Sequence, residues 1–323
     1  MKFAFIVDPL EGLKAYKDSS IAMMRTAAGR GHEVWTIQRS DLFWRDGHVA
    51  ARALHIQPSA NNAAWYMEVR EAVCRLTEFD AVLMRQDPPF DAEYIAATWL
   101  LDRAEAEGAR IWNRPSAIRD HSEKVALAEF FEFAPTTLIA GDISTLQGFI
   151  DELEDVVVKP LDGMGGSGIF RVRRDDPNRN AILETITDNG RRSIMAQRYL
   201  PQILDGDKRI LIIGGVPVPF ALARIPKAGE LRGNLAAGGT GVAQALSARD
   251  SEIANTLAPI LWSRGLLIVG LDVIGDCLTE INVTSPTCFV EIFEQTGYDV
   301  AAMVMDVLER ECAASATASR SSS

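Results

Sequence analysis

Cysteine is scarce, and what there is forms no pattern. The four in 323 residues are Cys74, Cys277, Cys288 and Cys312, and no two make a C-x-x-C pair. The four histidines, His32, His48, His55 and His121, never fall at H-x-x-x-H spacing. These absences argue against a structural zinc site and a disulfide framework, and point to a reducing, cytoplasmic setting. No apolar run reaches the roughly 18 residues of a membrane span. The opening "MKFAFIVDPLEG" has a charge and a short apolar run, but an acidic turn stands where a signal peptide needs small residues. Positive charge is also in deficit: 33 Lys+Arg against 44 Asp+Glu give −11, which excludes a broad nucleic-acid face and leaves room only for a local basic pocket. G-x-x-x-x-G-K-[ST] does not occur, and the glycine run at 163–168 reads G-x-G-G-x-G and leads into a strand where the dinucleotide fingerprint opens a helix, so neither of the two commonest phosphate-binding loops fits.

What is present is an ordinary globular composition, 47% hydrophobic and 24% charged. The length suits two or three domains. "KFAFIVD" (2–8) has a buried-strand pattern. Asp18 or Ser19 can cap a helix with Ile21, Met24, Ala27 and Ala28 on one face, and "HEVWTIQ" (32–38) is a second strand. "LFWRDGHVAARALHI" predicts a hairpin turning at Asp46-Gly47. With "AVLMRQ" (81–86), a helix near 91–107 and "ARIWN" (109–113), residues 1–120 form an open α/β domain around a parallel sheet. Beyond 121 the pattern changes to a short helix (122–131), strand–helix–strand (136–160), a glycine loop and a strand through Val172. "RSIMAQRYL", "DKRILIIGG" and "VPVPFALARIP" predict three strands with hairpin-like joins. A helix (247–264), a last hairpin and a helix to about 311 complete an α+β half. Residues 313–323 are low-complexity and expected to be disordered.

Four constellations bear on chemistry. In "VVVKPLDGMGGSGIFRV" (156–172) Lys159 precedes Gly163, Gly165, Gly166, Ser167 and Gly168, and a strand follows instead of a helix. Such a loop lays backbone amides over an anion while the lysine stands on a strand beneath. "GLDVIGDCLTEINVT" supplies Asp272, Glu280 and Asn282. A three-residue turn over Gly275–Cys277 sets Asp272 opposite Glu280, whereas a two-residue turn sends them to opposite faces. Two carboxylates and an amide oxygen suit Mg²⁺ with substrate phosphates. Lys124, Lys208, Arg209, Arg224 and Arg232 are separately ordinary surface charges, but together they balance a triphosphate and a reacting anion. "KAGELRGNLAAGGTG" (227–241) suits a lid that excludes water. Ser285 and Thr287 are either helix caps or a carboxylate cradle at a helix N-terminus.

This order of parts resembles the ATP-grasp superfamily, and more closely the bacterial-type glutathione synthetases. "DSSIAMM", "MRQDPPFDAEYI", "KPLDGMGGSGIFRV", "ARIPKAGELRGNLAAGGTG" and "LTEINVTSPT" carry the resemblance over residues 2 to 311. It implies an N-terminal domain (1–120) and an ATP-grasp domain (121–312) made of a small lid part (121–200) and a large antiparallel part (201–312), with a mobile loop at 226–241. It implies ATP-dependent ligation of γ-glutamylcysteine to glycine, with Mg²⁺ (alternatively Mn²⁺), in a cytoplasmic homo-oligomer, a tetramer, with no nucleic-acid or membrane partner. Lys124, Lys159, the loop Gly163–Gly168, Gln197, Tyr199, Leu200, Asp207 and Lys208 would meet ATP, and Asp272, Glu280 and Asn282 the metals. Arg209, Arg224 and Arg232 would serve the chemical step. Asp18, Ser19, Ser20, Arg85, Asn234, Ser285, Pro286 and Thr287 would meet the other substrates. One departure stands out: Cys288-Phe289-Val290-Glu291 has valine where the family pattern has arginine. It keeps open an alternative, another ATP-grasp carboxylate–amine ligase with a different acid or amine.

Overall fold

The computed structural model describes residues 1–163, 165–227, 229–230, 233, 235 and 238–321, with side chains as far as 314. The first sheet takes β1 (Lys2–Ile6), β2 (Glu33–Ile37), β3 (Leu42–Arg45), β4 (His48–Pro58), β5 (Tyr66–Arg75), β6 (Ala81–Met84) and β7 (Ile111–Trp112), with α1 (Ser19–Gly29), α2 (Ala92–Ala106) and α3 (Pro115–Asp120). Its order is β3-β4-β2-β1-β6-β7, with β5 on the free side of β4. The β2-β1-β6-β7 part is parallel, as the strand–helix alternation predicts. Asp46 and Gly47, both at positive φ (52° and 90°), turn the expected hairpin. β5 was not anticipated: its alternation is hidden by exposure on both faces, with Met67, Val69 and Val73 all open to solvent.

The second sheet contains β8 (Thr137–Ala140), β9 (Asp155–Pro160), β10 (Phe170–Arg173) and β11 (Ile194–Arg198), backed by α4 (Ile143–Leu153) and α5 (Arg179–Ile186). The third is β12 (Asp207–Ile213), β13 (Val216–Ile225), β14 (Thr240–Ala245), β15 (Ile268–Ile274) and β16 (Cys277–Asn282), in the order β14-β13-β12-β15-β16. Both are antiparallel. "RSIMAQRYL" is therefore not joined to "DKRILIIGG" by a hairpin. It pairs with β9 and β8 in the second sheet, and Pro201–Asp205 carries the chain across to the third. Only β12 and β13 make the expected hairpin, at Gly214-Gly215.

α6 (Ala248–Ser263) starts at a Ser247/Asp250 capping box, and α7 (Phe289–Thr296) and α8 (Val300–Ser321) follow. The helix expected at 122–131 is instead a 3-10 turn, Val125–Phe130. Its opening carbonyl, on Glu123, is already taken by the Ile281 amide of β16. The single C-terminal helix is two, broken at Gly297 with φ 74°. α8 also runs past 313, where disorder was expected; its alanines favour helix over the tail's low complexity.

One apolar cluster joins the first sheet to the third. Phe3, Phe5, Ile21 and Met24 pack with Phe289, Ile292, Val304 and Leu308, all buried. Asn113 fastens the same junction. Its side-chain amide donates to the carbonyls of Ile268 (2.8 Å) and Val283 (2.7 Å) and its Oδ1 accepts from the Ile268 amide (2.9 Å). Asn113→Ala leaves three buried backbone groups unpaired and is expected to cost at least about 3 kcal/mol. An unchanged urea midpoint in that variant contradicts this.

Candidate active site

The cleft lies between the glycine loop and one face of the third sheet, with a volume of about 480 Å³. Its floor is set by strand register. Asp207 pairs with Arg224 across β12 and β13, and Arg209 pairs with Asp272 across β12 and β15. Residues 207 and 209 share a face because strand side chains alternate. The result is a buried chain of opposite charges. Arg209 Nε donates to Asp272 Oδ1 (2.6 Å), and Arg224 Nη2 donates to both Asp272 Oδ2 (2.9 Å) and Asp207 Oδ2 (2.5 Å). Burial opposes the charge on Asp272, but the two guanidiniums win and hold its carboxyl well below the usual range. Asp207 goes the other way, pushed up to about 6 by burial, with repulsion from Asp272 working against Arg224. Its Oδ1 is buried without a partner.

The same alternation removes Lys208 from the cleft. Its ammonium points to the opposite face, where it meets Asp250 and the Gly275 carbonyl (3.0 Å). A phosphate contact for Lys208 is thus incompatible with this register.

The hairpin carrying the proposed metal ligands reaches its arrangement by an unexpected route. Ile274 pairs with Cys277, so the turn is the two-residue Gly275-Asp276. A bulge beside Asp272 then shifts the register by one residue and restores Asp272 opposite Glu280. Asn282 is two residues on, and its Nδ2 donates to the Gly270 carbonyl (3.2 Å), leaving the amide oxygen for a ligand. Asp272, Glu280 and Asn282 all line the cleft. Among the described residues no three His, Cys, Asp or Glu groups converge as a metal site. The oxygen set present fits a hard cation whose remaining ligands are phosphate oxygens and water.

Lysines stand on the other side. Lys124 Nζ donates to Glu280 Oε1 (3.0 Å) and the Gly163 carbonyl (2.9 Å), tying the glycine loop to the floor. Burial lowers its pKa, but Glu280 outweighs that and the net shift is upward. Lys159 Nζ donates to the Thr279 carbonyl (3.2 Å), and burial lowers its pKa. Gly163, Gly165, Gly166 and Ser167 line the cleft. Gly168 supports from behind at φ 70°, where an added Cβ would lie 2.9 Å from Pro160 Cγ. Gln197, Tyr199 and Leu200 form the adjoining wall. Tyr199 carries the Arg171 guanidinium 3.5 Å above its ring, and Asp155 clamps that arginine from the neighbouring strand (2.8 and 2.5 Å).

At the far end Asp18, Ser285, Pro286 and Thr287 line the cleft, while Ser19, Ser20 and Arg85 do not. Those three stand behind the wall and hold it. Arg85 donates to Ser20 Oγ (3.2 Å) and the Pro286 carbonyl (2.8 Å), and Ser19 Oγ accepts from the Phe289 amide (3.3 Å). Arg232 and Asn234 lie outside the described residues. The wall residues not assigned to the site from sequence include Asp87, Glu123, Cys288 and Glu291. Glu123 Oε1 accepts from the Val283 and Thr284 amides (3.0 and 3.2 Å), and Asp87 accepts from Ser285 Oγ. "DPPF" was the available signal for Asp87. Val290 is not on the wall, although Cys288 and Glu291 on either side of it are.

Gly270 sits beneath Arg209, where an added Cβ would lie 2.9 Å from Arg209 Cδ and 2.9 Å from Pro286 Cβ. Gly270→Ala is expected to displace Arg209 from its buried pair with Asp272, lowering kcat by about 10- to 100-fold and the melting temperature with it. Parent-like turnover would show that Arg209 need not sit where it does.

A family model described as the prokaryotic glutathione synthetase N-terminal domain matches residues 1–119, and one described as the prokaryotic glutathione synthetase ATP-grasp domain matches residues 123–297. The chain belongs to this family. Glutathione synthetases from Ralstonia nicotianae and Nitrosomonas europaea are 58% and 56% identical to it, over 96% and 97% of this chain and 96% and 99% of theirs. That of Vibrio parahaemolyticus is 48% identical over 96% of this chain and 98% of its own. Among solved structures, the ATP-grasp ligase PsnB (TM-score 0.61, 16% identity, 96% of this chain, 98% of that one) shares the fold. So does D-cycloserine synthetase DcsG (TM-score 0.63, 16% identity, 96% of this chain, 99% of that one). The N-terminal sheet and the two antiparallel sheets are thus those of a glutathione synthetase with an ATP-grasp core.

Proposed function

We propose that the cleft joins γ-glutamylcysteine to glycine through an acyl phosphate, giving glutathione, ADP and phosphate. Family membership makes the chain an ATP-dependent glutathione synthetase. The observation that carries the residue-level reading is the buried alternation Asp207–Arg224–Asp272–Arg209 facing the glycine loop. It fixes two guanidiniums before any substrate arrives, and preorganised cations are most effective where charge develops in a dry site.

A carboxylate is a poor acyl donor. Its oxygen attacks the γ-phosphorus, the bond to the β-phosphate oxygen breaks, and ADP leaves. Negative charge gathers between the two reactants, within reach of Arg209 and Arg224. Lys159 and Lys124 hold the phosphates from the side opposite the floor while the loop Gly163–Gly168 covers them. The Gln197–Leu200 wall takes the adenine. Asp272, Glu280 and Asn282 would hold Mg²⁺, or Mn²⁺ in its place, which when bound neutralises phosphate charge. The glycine amine then attacks the acyl carbon, phosphate departs, and the amine loses a proton. Residues 226–241, of which Gly233 and Leu235 line the cleft, shield the acyl phosphate from water. In this reading residues 1–120 close one end of the cleft onto the ATP-grasp unit of 121–312.

No helix among the described residues is long and apolar enough to cross a membrane, and we place the enzyme in the cytoplasm as a homo-oligomer, a tetramer by family resemblance. Light scattering checks the assembly. The alternative acid or amine rested on Val290; the glutathione synthetases that match the chain over nearly its whole length support γ-glutamylcysteine and glycine instead. The test is ADP release from Mg²⁺–ATP with γ-glutamylcysteine, with and without glycine, the product identified by mass. Glycine-dependent release matched one-to-one by glutathione supports the assignment. Release with no glutathione, or no release with or without glycine, refutes it.

A further inference from the structure

We propose that Glu291 binds the α-ammonium of the acid substrate's γ-glutamyl head, and so makes the enzyme select a free α-amino group at that end. This rests on the glutathione-forming reading above. Glu291 is in the first turn of α7 and lines the cleft, as do Lys14, Lys17 and Asp18 of the loop entering α1. Its carboxylate accepts from its own backbone amide, and burial raises its pKa. The second oxygen, Oε2, is buried and has no hydrogen-bond partner. A buried, unpaired carboxylate oxygen is costly unless something completes it.

A helix-capping role does not complete it. The N-cap residue Cys288 makes no side-chain cap, and one backbone amide uses only one oxygen. Two lysines, Lys14 and Lys17, line the same cleft and form no ion pair among the described residues, and Lys17 is close enough to act on the Glu291 carboxylate, against the larger effect of its burial. One carboxylate and two ammonium groups lining one cleft suit a ligand carrying both charges. Of the groups that must enter this cleft, the γ-glutamyl head is such a zwitterion, and it sits at the end of the dipeptide remote from the carboxylate that reacts. Glu291 therefore takes its ammonium and Lys17 its carboxylate.

The test compares γ-glutamylcysteine with glutarylcysteine, which has the same length and lacks only the α-amino group. The parent enzyme is expected to favour γ-glutamylcysteine by at least about 100-fold in kcat/KM, since a site built around a polar group rejects the analogue lacking it. In Glu291→Gln the KM for γ-glutamylcysteine should rise about 30-fold or more, with KM for ATP within about twofold, and the preference should fall below about tenfold. A purely structural role would lower kcat/KM equally for both acids and leave the preference intact, which overturns the proposal. Lys17→Gln provides a second reading that does not depend on α7. It should keep the amino-group preference but lose preference against 4-aminobutyrylcysteine, which lacks the α-carboxylate. If it keeps both preferences, the zwitterion site is wrong. A parent that makes no glutathione from γ-glutamylcysteine overturns the reading on which the proposal rests, and the proposal with it.

Discussion

Arg224→Gln should lower kcat by about 1,000-fold, the scale on which losing a preorganised charge at a reacting centre is felt. Arg224 is buried and donates to two carboxylates, so its removal also leaves Asp207 and Asp272 facing each other without their shared cation. Breaking a buried ion pair on one side costs about 3–5 kcal/mol, and the variant should unfold at lower temperature as well as react slowly. The double variant Arg224→Gln, Asp207→Asn separates the two effects. It removes the surplus carboxylate and should regain most of the stability while turnover stays low. If turnover returns with stability, Arg224 is a structural residue and has no part in the chemistry.

The second large effect is expected at Glu280. It faces Asp272 through the bulge in the last hairpin and holds Lys124 at 3.0 Å. Glu280→Gln keeps the shape and one hydrogen-bond acceptor but removes the charge. Calorimetry should show affinity for ATP in the presence of Mg²⁺ falling about 10- to 100-fold. Binding of ATP without the metal should change far less, because a charge that repels phosphate is gone as well. Equal losses with and without Mg²⁺ would mean that Glu280 serves Lys124 alone.

How much of this was legible beforehand depended on strand parity. Arg209, Arg224 and Asp272 lie on one face of a continuous sheet, so alternation along β12, β13 and β15 brings them together once the pairing is known. The same rule should have excluded Lys208, one residue from Arg209, which grouping by charge alone did not do. Parity also made Asp272 and Glu280 look conditional on turn length. No sequence signal announced the bulge that compensates for the shorter turn.

The glycine loop was readable because Gly165, Gly166 and Gly168 sit at positive φ, where a side chain is strained. The substrate end was less so. Ser19 and Ser20 of α1 and Arg85 just after β6 meet behind Pro286 and Phe289, about 200 or more residues away along the chain. Such long-range hydrogen bonds leave no local pattern. Glu291 was hidden for a different reason. In sequence it is an acidic residue in a helix's first turn, where acids are common, and only its buried oxygen distinguishes it.

The central claim is that the cleft activates a carboxylate by phosphorylating it, and isotope transfer tests this most directly. γ-Glutamylcysteine labelled with ¹⁸O in its cysteinyl carboxylate is turned over with Mg²⁺–ATP and glycine, and the released phosphate is analysed by mass. Passage through an acyl phosphate predicts one ¹⁸O in each phosphate formed, with the other retained in the peptide bond of glutathione. Phosphate carrying no ¹⁸O while labelled glutathione accumulates would contradict the account.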